Sequence, residues 1–352
     1  MLFVRPSFRI REEFLISAMA ALPQDVIEDI LSRLPVKSLL RFKTVSKKWY
    51  SFISENHKFH MKQLSSSSSK YVIFYQLITL ERTIFQYSDV DSYACRRMNF
   101  PVEIEKPSRL IGSANGLVCV APLYIGDFFF IWNPCTGECK RISVPVPDHT
   151  AAGVSLFGFG YDSISDDYKV LGNWDSHLRF FSLKTKSWKI LEHSFEFASA
   201  VNALPSNGAL HWCVGPQITA FDLANEKIVF LDLPDGIKFV GEGYTSCWVP
   251  MFEDYKGRLC ASGRKYIWVM MEYDNSKSWA KFSACLPEEY AKPVGISRLG
   301  EVVFRTDTGF GFVKSDMQGI MSDDKKAQMV HYGDTFVYKE SLISPECFDR
   351  ER

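Results

Sequence analysis

An excess of charge of one sign is the first thing this 352-residue sequence lacks: 41 Lys and Arg residues are balanced by 41 Asp and Glu. With no net field, nothing draws nucleic acid or an anionic membrane from a distance, and partners must be recognised locally. Paired cysteines are missing too. The nine present (Cys95, Cys119, Cys135, Cys139, Cys213, Cys247, Cys260, Cys285 and Cys347) are odd in number, scattered and never spaced C-x-x-C. That excludes a disulfide framework or a zinc ribbon and suits a reducing compartment, cytoplasmic and/or nuclear. Cys135 and Cys139 flank a turn with no second ligand pair nearby, so no metal is assigned to them.

A long apolar run is absent as well: Asp127 interrupts the best candidate, between Leu117 and Trp132, and no membrane span is expected. The N-terminal stretch mixes Arg5, Arg9 and Arg11 with Glu12 and Glu13 and fails as a secretory signal. His57, His60, His149, His177, His193, His211 and His331 form no metal or nucleophile constellation in the sequence. Phe157-Gly158-Phe159-Gly160-Tyr161 lacks the third glycine, the lysine and the following helix of a phosphate-cradling loop. Its glycines are expected to relieve crowding between strands. His211, between Leu210 and Trp212, reads as a packed strand residue, and Asp166-Asp167 and Asp323-Asp324 read as surface turns. No catalytic residue, cofactor or metal ligand is assigned.

What is present falls into two parts, as a prior of one domain per ~150 residues suggests. The first runs from Leu22 to Leu64. Val26, Ile27, Ile30, Leu31 and Leu34 recur at helical spacing on one face. Pro23 suits the opening turn, Asp25, Glu28 and Asp29 lie toward the positive end of the helix dipole, and Pro35 forces a break. A second helix is expected through Val36–Phe42. Ser46 is a good N-cap for a third, carrying Trp49, Phe52 and Ile53, and a fourth is expected from about Glu55 to Leu64. Three short helices have little interior, so their apolar side chains cannot all be buried within the segment and need a partner surface.

This stretch resembles the F-box in its Leu22-Pro23 start, its Ile30-Leu31-x-x-Leu34-Pro35 core, its Leu39-Leu40 pair and its Val45-Ser46-Lys47-Lys48-Trp49 close, with Ser46 where many relatives carry Cys. The resemblance implies docking on a Skp-type adaptor, and through it on the cullin and RING subunits of a ubiquitin ligase. Carried over position by position, the adaptor contacts are Leu22, Pro23, Ile27, Ile30, Leu31, Leu34, Pro35, Leu39, Leu40, Val45, Trp49 and Phe52. Some of these must instead knit the helices together, and sequence does not divide the two groups. Two other readings of the stretch are a helical subdomain that only packs on the rest of the chain, and a helix-turn-helix reader of nucleic acid. Trp49, Phe52 and Ile53 beside Lys47 and Lys48 argue against the second, and no nucleic-acid partner is expected.

Beyond the serines at 65–69 the pattern changes to period two. Aromatic residues make up 14% of the chain and favour strands there. Small-Gly-apolar turns recur at Ala114–Leu117, Ser206–Leu210, Tyr255–Leu259 and Arg298–Val302, their glycines 92, 49 and 43 residues apart. The gap of 92 holds two units, with Ser165–Val170 as the missing turn. A period of roughly 40 to 50 suits propeller blades of four short strands. A second set of turns, at 133–137, 184–188, 223–227 and 274–279, reads as hairpin connections. Phe128–Trp132 and Ile267–Met271 are apolar on both faces, as inside stacked blades.

Ile131-Trp132-Asn133-Pro134, Phe157–Asp162, Asp166–Val170, Gly208–Trp212, Ala220–Leu223 and Ile267–Met270 resemble the F-box-associated, kelch-related (type 1) region of plant F-box proteins. The expected fold is therefore α+β multidomain, a small N-terminal three-helix F-box followed by an all-β kelch-like propeller domain. Its expected parts are an extension over 1–18, disordered or an upstream start before Met19; the F-box over 19–64; a serine-rich linker over 65–70 that sets the distance between the parts; the β-domain over 71–345; and a tail over 346–352. The resemblance implies a substrate receptor of an SCF-type ligase that supplies no nucleophile and binds an unidentified target protein through the β-domain. Candidate target loops are Pro145–His149, Asn173–His177 and Gly241–Tyr244. A stand-alone propeller scaffold and a propeller enzyme remain the competing function classes.

Overall fold

The computed structural model describes residues 23–66, 71–79, 82–89, 95–102, 107–123, 127–145, 154–174, 177–194, 202–213, 217–237, 251–253, 256–262, 266–283, 292–296, 301–306, 309–315, 321–322, 327–328 and 332–349. Four helices open the described chain: α1 (Gln24–Ser32), α2 (Val36–Phe42), α3 (Lys47–Glu55) and α4 (His57–Ser66). Pro23 and Pro35 sit at the N-caps of α1 and α2, where a missing N–H costs nothing. The Ser46 hydroxyl accepts the Trp49 amide at 3.2 Å and starts α3. The expected serine linker is partly helix: Ser65 and Ser66 close the last turn of α4, both hydroxyls donating to the Lys62 carbonyl.

The β-region follows in blades. Strands β1 (Tyr71–Thr79), β2 (Arg82–Asp89) and β3 (Cys95–Met98) begin the first. The second is β4 (Ser108–Ala114), β5 (Leu117–Pro122), β6 (Phe128–Trp132) and β7 (Cys139–Ser143); the third is β8 (Ser155–Asp162), β9 (Asp167–Trp174), β10 (His177–Ser182) and β11 (Ser187–Ser194). The fourth is β12 (Leu204–Ser206), β13 (Ala209–Cys213), β14 (Gln217–Asp222) and β15 (Lys227–Asp232); the fifth is β16 (Met251–Glu253), β17 (Leu259–Ser262), β18 (Tyr266–Met270) and β19 (Trp279–Ser283). The sixth has β20 (Lys292–Ile296), β21 (Glu301–Thr306) and β22 (Gly309–Ser315), with β23 (Met321–Ser322) and β24 (Ala327–Gln328) both pairing β22.

The last strand, β25 (Tyr332–Tyr338), returns to pair antiparallel with β1, Val337 opposite Val72, and supplies the inner strand of the first blade. The fifth and sixth blades meet at one parallel pair, Glu253 with Gly295, and are otherwise separate. Inner strands β25, β4, β8, β12, β16 and β20 neighbour one another in a closed ring. The β-domain is a six-bladed propeller whose ends are sewn together inside one blade, which leaves no open seam.

The recurring turns fall where the period places them, between the first and second strands of blades two to six. Asn115 and Gly116 (φ 50° and 80°) and Asn207 and Gly208 (φ 49° and 75°) adopt the left-handed pair that a tight hairpin needs. Strand β6 is buried on both faces as expected: Phe129 and Ile131 pack toward the third blade, Phe130 and Trp132 toward the first. The glycines of β8 serve close packing between blades. A Cβ on Gly158 would meet a Leu210 methyl, and one on Gly160 a Leu223 methyl, each at 2.9 Å.

One expectation is corrected here. The turn over 163–166 is at the surface, with Ser163, Ile164 and Ser165 exposed, but Asp167 is not solvated: it is buried and accepts the Ser182 hydroxyl and the Lys184 amide, and the half-buried Asp166 accepts the Tyr161 hydroxyl at 2.8 Å. The acids of this turn are taken up inside the third blade itself, by Tyr161 of β8, Ser182 of β10 and the turn that follows β10, which periodicity alone does not show. Asp323-Asp324 lies outside the described residues.

Candidate functional site

The helices form their own small core. Leu31 and Leu39 are fully buried, joined by Val36, Ile53 and Phe59. Phe42 stacks on Trp49 with ring centroids 5.5 Å apart, and Phe52 on Phe59 at 4.9 Å. That core is completed by this chain's own end: Leu342 is buried in the same cluster, and Cys135 of the β6–β7 turn packs against it. Part of the cover that forty helical residues need is therefore intramolecular.

The twelve expected adaptor contacts divide accordingly. Leu31 and Leu39 are interior, so they hold the helices together and offer no surface. Ile27, Leu34, Leu40, Val45, Trp49 and Phe52 are half-buried, while Pro23, Pro35 and Ile30 are exposed. Leu22 lies outside the described residues. Two exposed apolar side chains were missing from the expected set: Val26, 38% exposed, and Tyr50, 56% exposed. Val26 and Ile30 (41%) stand four residues apart on one face of α1, a spacing that could have paired them in advance. The cap is thus not sealed: an apolar strip remains outside while its leucine core is closed.

The cap docks on one end of the propeller. Leu64 and Met61 of α4 enter the cluster formed by Leu117, Phe129, Phe159 and Tyr168, and His57 Nε2 lies 3.1 Å from Asp166 Oδ1. Among the described residues, these contacts of the cap and the Cys135 contact fall at the end that carries the β4–β5, β6–β7 and β8–β9 turns. Strand alternation places the β9–β10 connection and the segment after β7 at the opposite end. Pro145, Asn173, Trp174 and His177 of the candidate target loops therefore lie away from the cap; the rest of those loops, including Gly241–Tyr244, lies outside the described residues.

Burial pushes the thiols of Cys135 up to about 11 and of Cys139 and Cys347 up to about 12, leaving no thiolate at neutral pH. His211 is buried, and burial holds its imidazole down to about 4. Among the described residues no three His, Cys, Asp or Glu side chains gather as a metal would require, and no helix is long and apolar enough to cross a membrane.

A small helical cap with an exposed apolar strip, seated on a six-bladed propeller, defines a two-surface interaction protein. Residues 46–309 match the family model described as the F-box associated beta propeller domain, and residues 19–61 match the F-box domain. The chain belongs to the F-box proteins that carry an F-box-associated β-propeller. It is similar to the F-box protein CPR1 of Arabidopsis thaliana, 27% identical over 75% of this chain and 72% of the relative. A further Arabidopsis thaliana F-box protein is 30% identical over 74% of this chain and 61% of its own length, and an Arabidopsis thaliana F-box/kelch-repeat protein is 28% identical over 78% and 83%. An F-box joined to such a propeller is the organisation of SCF substrate receptors in general, which are non-catalytic subunits.

Proposed function

We propose that this chain is the substrate receptor of an SCF-type cullin-RING ubiquitin ligase: Pro23, Val26, Ile30, Pro35 and Tyr50, with the half-buried Leu34, Leu40 and Trp49, bind a Skp-type adaptor, and the propeller end remote from the cap binds the target protein. The observation that carries the reading is the apolar strip left outside a helical core that is already closed. Val26, Ile30 and Tyr50 leave 38%, 41% and 56% of their surface outside, and covering that apolar area with a partner gains roughly 25 cal/mol per Å². Ubiquitin chemistry then takes place on an enzyme held elsewhere in the assembly, and this chain accelerates it by proximity. The fold supports this choice of target end: the cap takes up the tight-turn end, and the connections between blades lie at the other.

The test is co-purification of the full chain with a Skp-type adaptor and cullin, beside an Ile30→Asp variant, with proximity labelling under proteasome block. The expected result is adaptor and cullin with the native chain only, and target proteins accumulating near the variant. A native chain that folds and recovers neither subunit is a stand-alone scaffold, and the reading falls.

A further inference from the structure

The final described segment, 339–349, is built into both halves of the molecule. Ser341, Leu342 and Ile343 lie outside any helix or strand, and the two apolar side chains enter different cores. Leu342 enters the helical core beside Leu31, Val36 and Leu39, while Ile343 enters the propeller core beside Leu117, Phe129 and Tyr168. Asn133, fully buried in the β6–β7 turn, holds the segment from below. Its Nδ2 donates to the carbonyls of Ser341 at 3.1 Å and Ile343 at 2.8 Å, and its Oδ1 accepts the Cys135 amide at 2.8 Å. Further on, Cys347 and Phe348 pack on the same propeller core, and Asp349 pairs with Lys140 of the second blade and Lys186 of the third.

We infer that this segment is a positioning strap that sets one orientation of the F-box on the propeller, with Asn133 and Leu342 as the residues through which it acts. The alternative source of rigidity is α4 alone, whose contacts are Leu64, Met61 and the His57–Asp166 pair. The strap adds a second, separate tie, a side chain held by the propeller and inserted into the helical core beside Leu31, Val36 and Leu39. Two bodies joined only along one helix can pivot about it, and an insertion against Leu31 of α1 and Val36 and Leu39 of α2 removes that freedom. In a receptor the orientation decides which lysines of a bound protein face the ubiquitin-carrying enzyme. The consequence for transfer rests on the receptor reading; the strap's geometry does not.

The experiment uses the full chain with Leu342→Asp, Asn133→Ala and the conservative Leu342→Met. Amide hydrogen exchange is expected to accelerate about tenfold or more in α1–α4 for Leu342→Asp and Asn133→Ala, with β8–β11 unchanged and native rates in Leu342→Met. Unchanged exchange in the helices of both strap variants overturns the inference. Should Leu342→Asp also lose protection in β8–β11, Asn133→Ala decides. In a reconstituted adaptor–cullin–RING assembly, the receptor's own lysines serve as the probe. The native chain should be modified on a restricted set mapped by mass spectrometry, which spreads in the strap variants and is restored in Leu342→Met. An identical set in all forms overturns the positioning role, whereas failure of the native chain to bind adaptor sinks the receptor reading and leaves the exchange result to judge the strap.

Discussion

His211 Nε2 and the Tyr273 hydroxyl meet at 2.8 Å across the seam between the fourth and fifth blades, while His211 Nδ1 lies 3.3 Å from the Leu204 carbonyl. A carbonyl can only accept, so Nδ1 carries the proton and Nε2 accepts from tyrosine. The ring is neutral, buried and fixed in one tautomer. It is the packed strand residue that its position between Leu210 and Trp212 suggests.

That arrangement makes stability depend on pH. Burial lowers the folded imidazole to about 4 from 6.5, so the unfolded chain binds the proton more readily. The native state keeps its advantage above about pH 6.5 and loses it as pH falls toward 4, by at most about 3 kcal/mol. Melting temperatures recorded from pH 7 to 4.5 should fall for the native chain and fall less steeply for His211→Phe. Parallel slopes for the two proteins would show that the proton goes elsewhere.

Ile30 and its neighbour Leu31 should separate binding from folding. Leu31→Ala empties a closed site and should cost about 2 to 5 kcal/mol of stability in the helical cap. Ile30→Asp, on an exposed position, should leave the melting temperature within a degree or so while abolishing adaptor capture. Adaptor capture at native level by Ile30→Asp would remove α1 from the proposed contact.

Gly116 has no room for a side chain. A Cβ there would fall 2.5 Å from Ser341 Cβ and 2.7 Å from the Lys339 carbonyl oxygen, at a φ of 80° that L-residues rarely adopt. Gly116→Ala should therefore destabilise the chain by about 1 to 3 kcal/mol, whereas Gly208→Ala, with open space around it, should suffer only the backbone strain. Equal losses by calorimetry would mean that the strap gives way without resistance.

Lys169 ties the third blade to the fourth from a buried position, its ammonium 3.4 Å from Asp162, 3.1 Å from Glu226 and hydrogen-bonded to the Leu223 carbonyl. Burial alone would push the Asp162 carboxyl up, but the Ser165 hydroxyl, the Ile164 and Ser165 amides and Lys169 hold it below its usual value. Lys169→Ala leaves that carboxylate buried with its cation gone and should cost about 3 to 5 kcal/mol. Denaturant melts should show Lys169→Ala with Asp162→Asn recovering part of the loss. A double variant no better than the single would separate the two charges energetically.

Much of this molecule was legible beforehand. Hairpin turns at Asn115-Gly116 and Asn207-Gly208 require backbone angles few residues tolerate, and Phe128–Trp132 has no polar face to show water, so the blade repeat could be seen along the chain, but not the number of blades. Leu31 and Ile30 could not be told apart, because helical spacing defines a face without saying what covers it. Composition likewise does not show that Ser65 and Ser66 close a helical turn or that Cys347 and Phe348 pack on the propeller, because both depend on contacts rather than on residue type. Local sequence determined the helix ends, the turns and the two-part character of the protein, since those are governed by neighbours a few residues apart. Only the tertiary structure decided that Leu342 fills the helical core and Asn133 grips Ser341, because contacts between residues some two hundred positions apart leave no local periodicity.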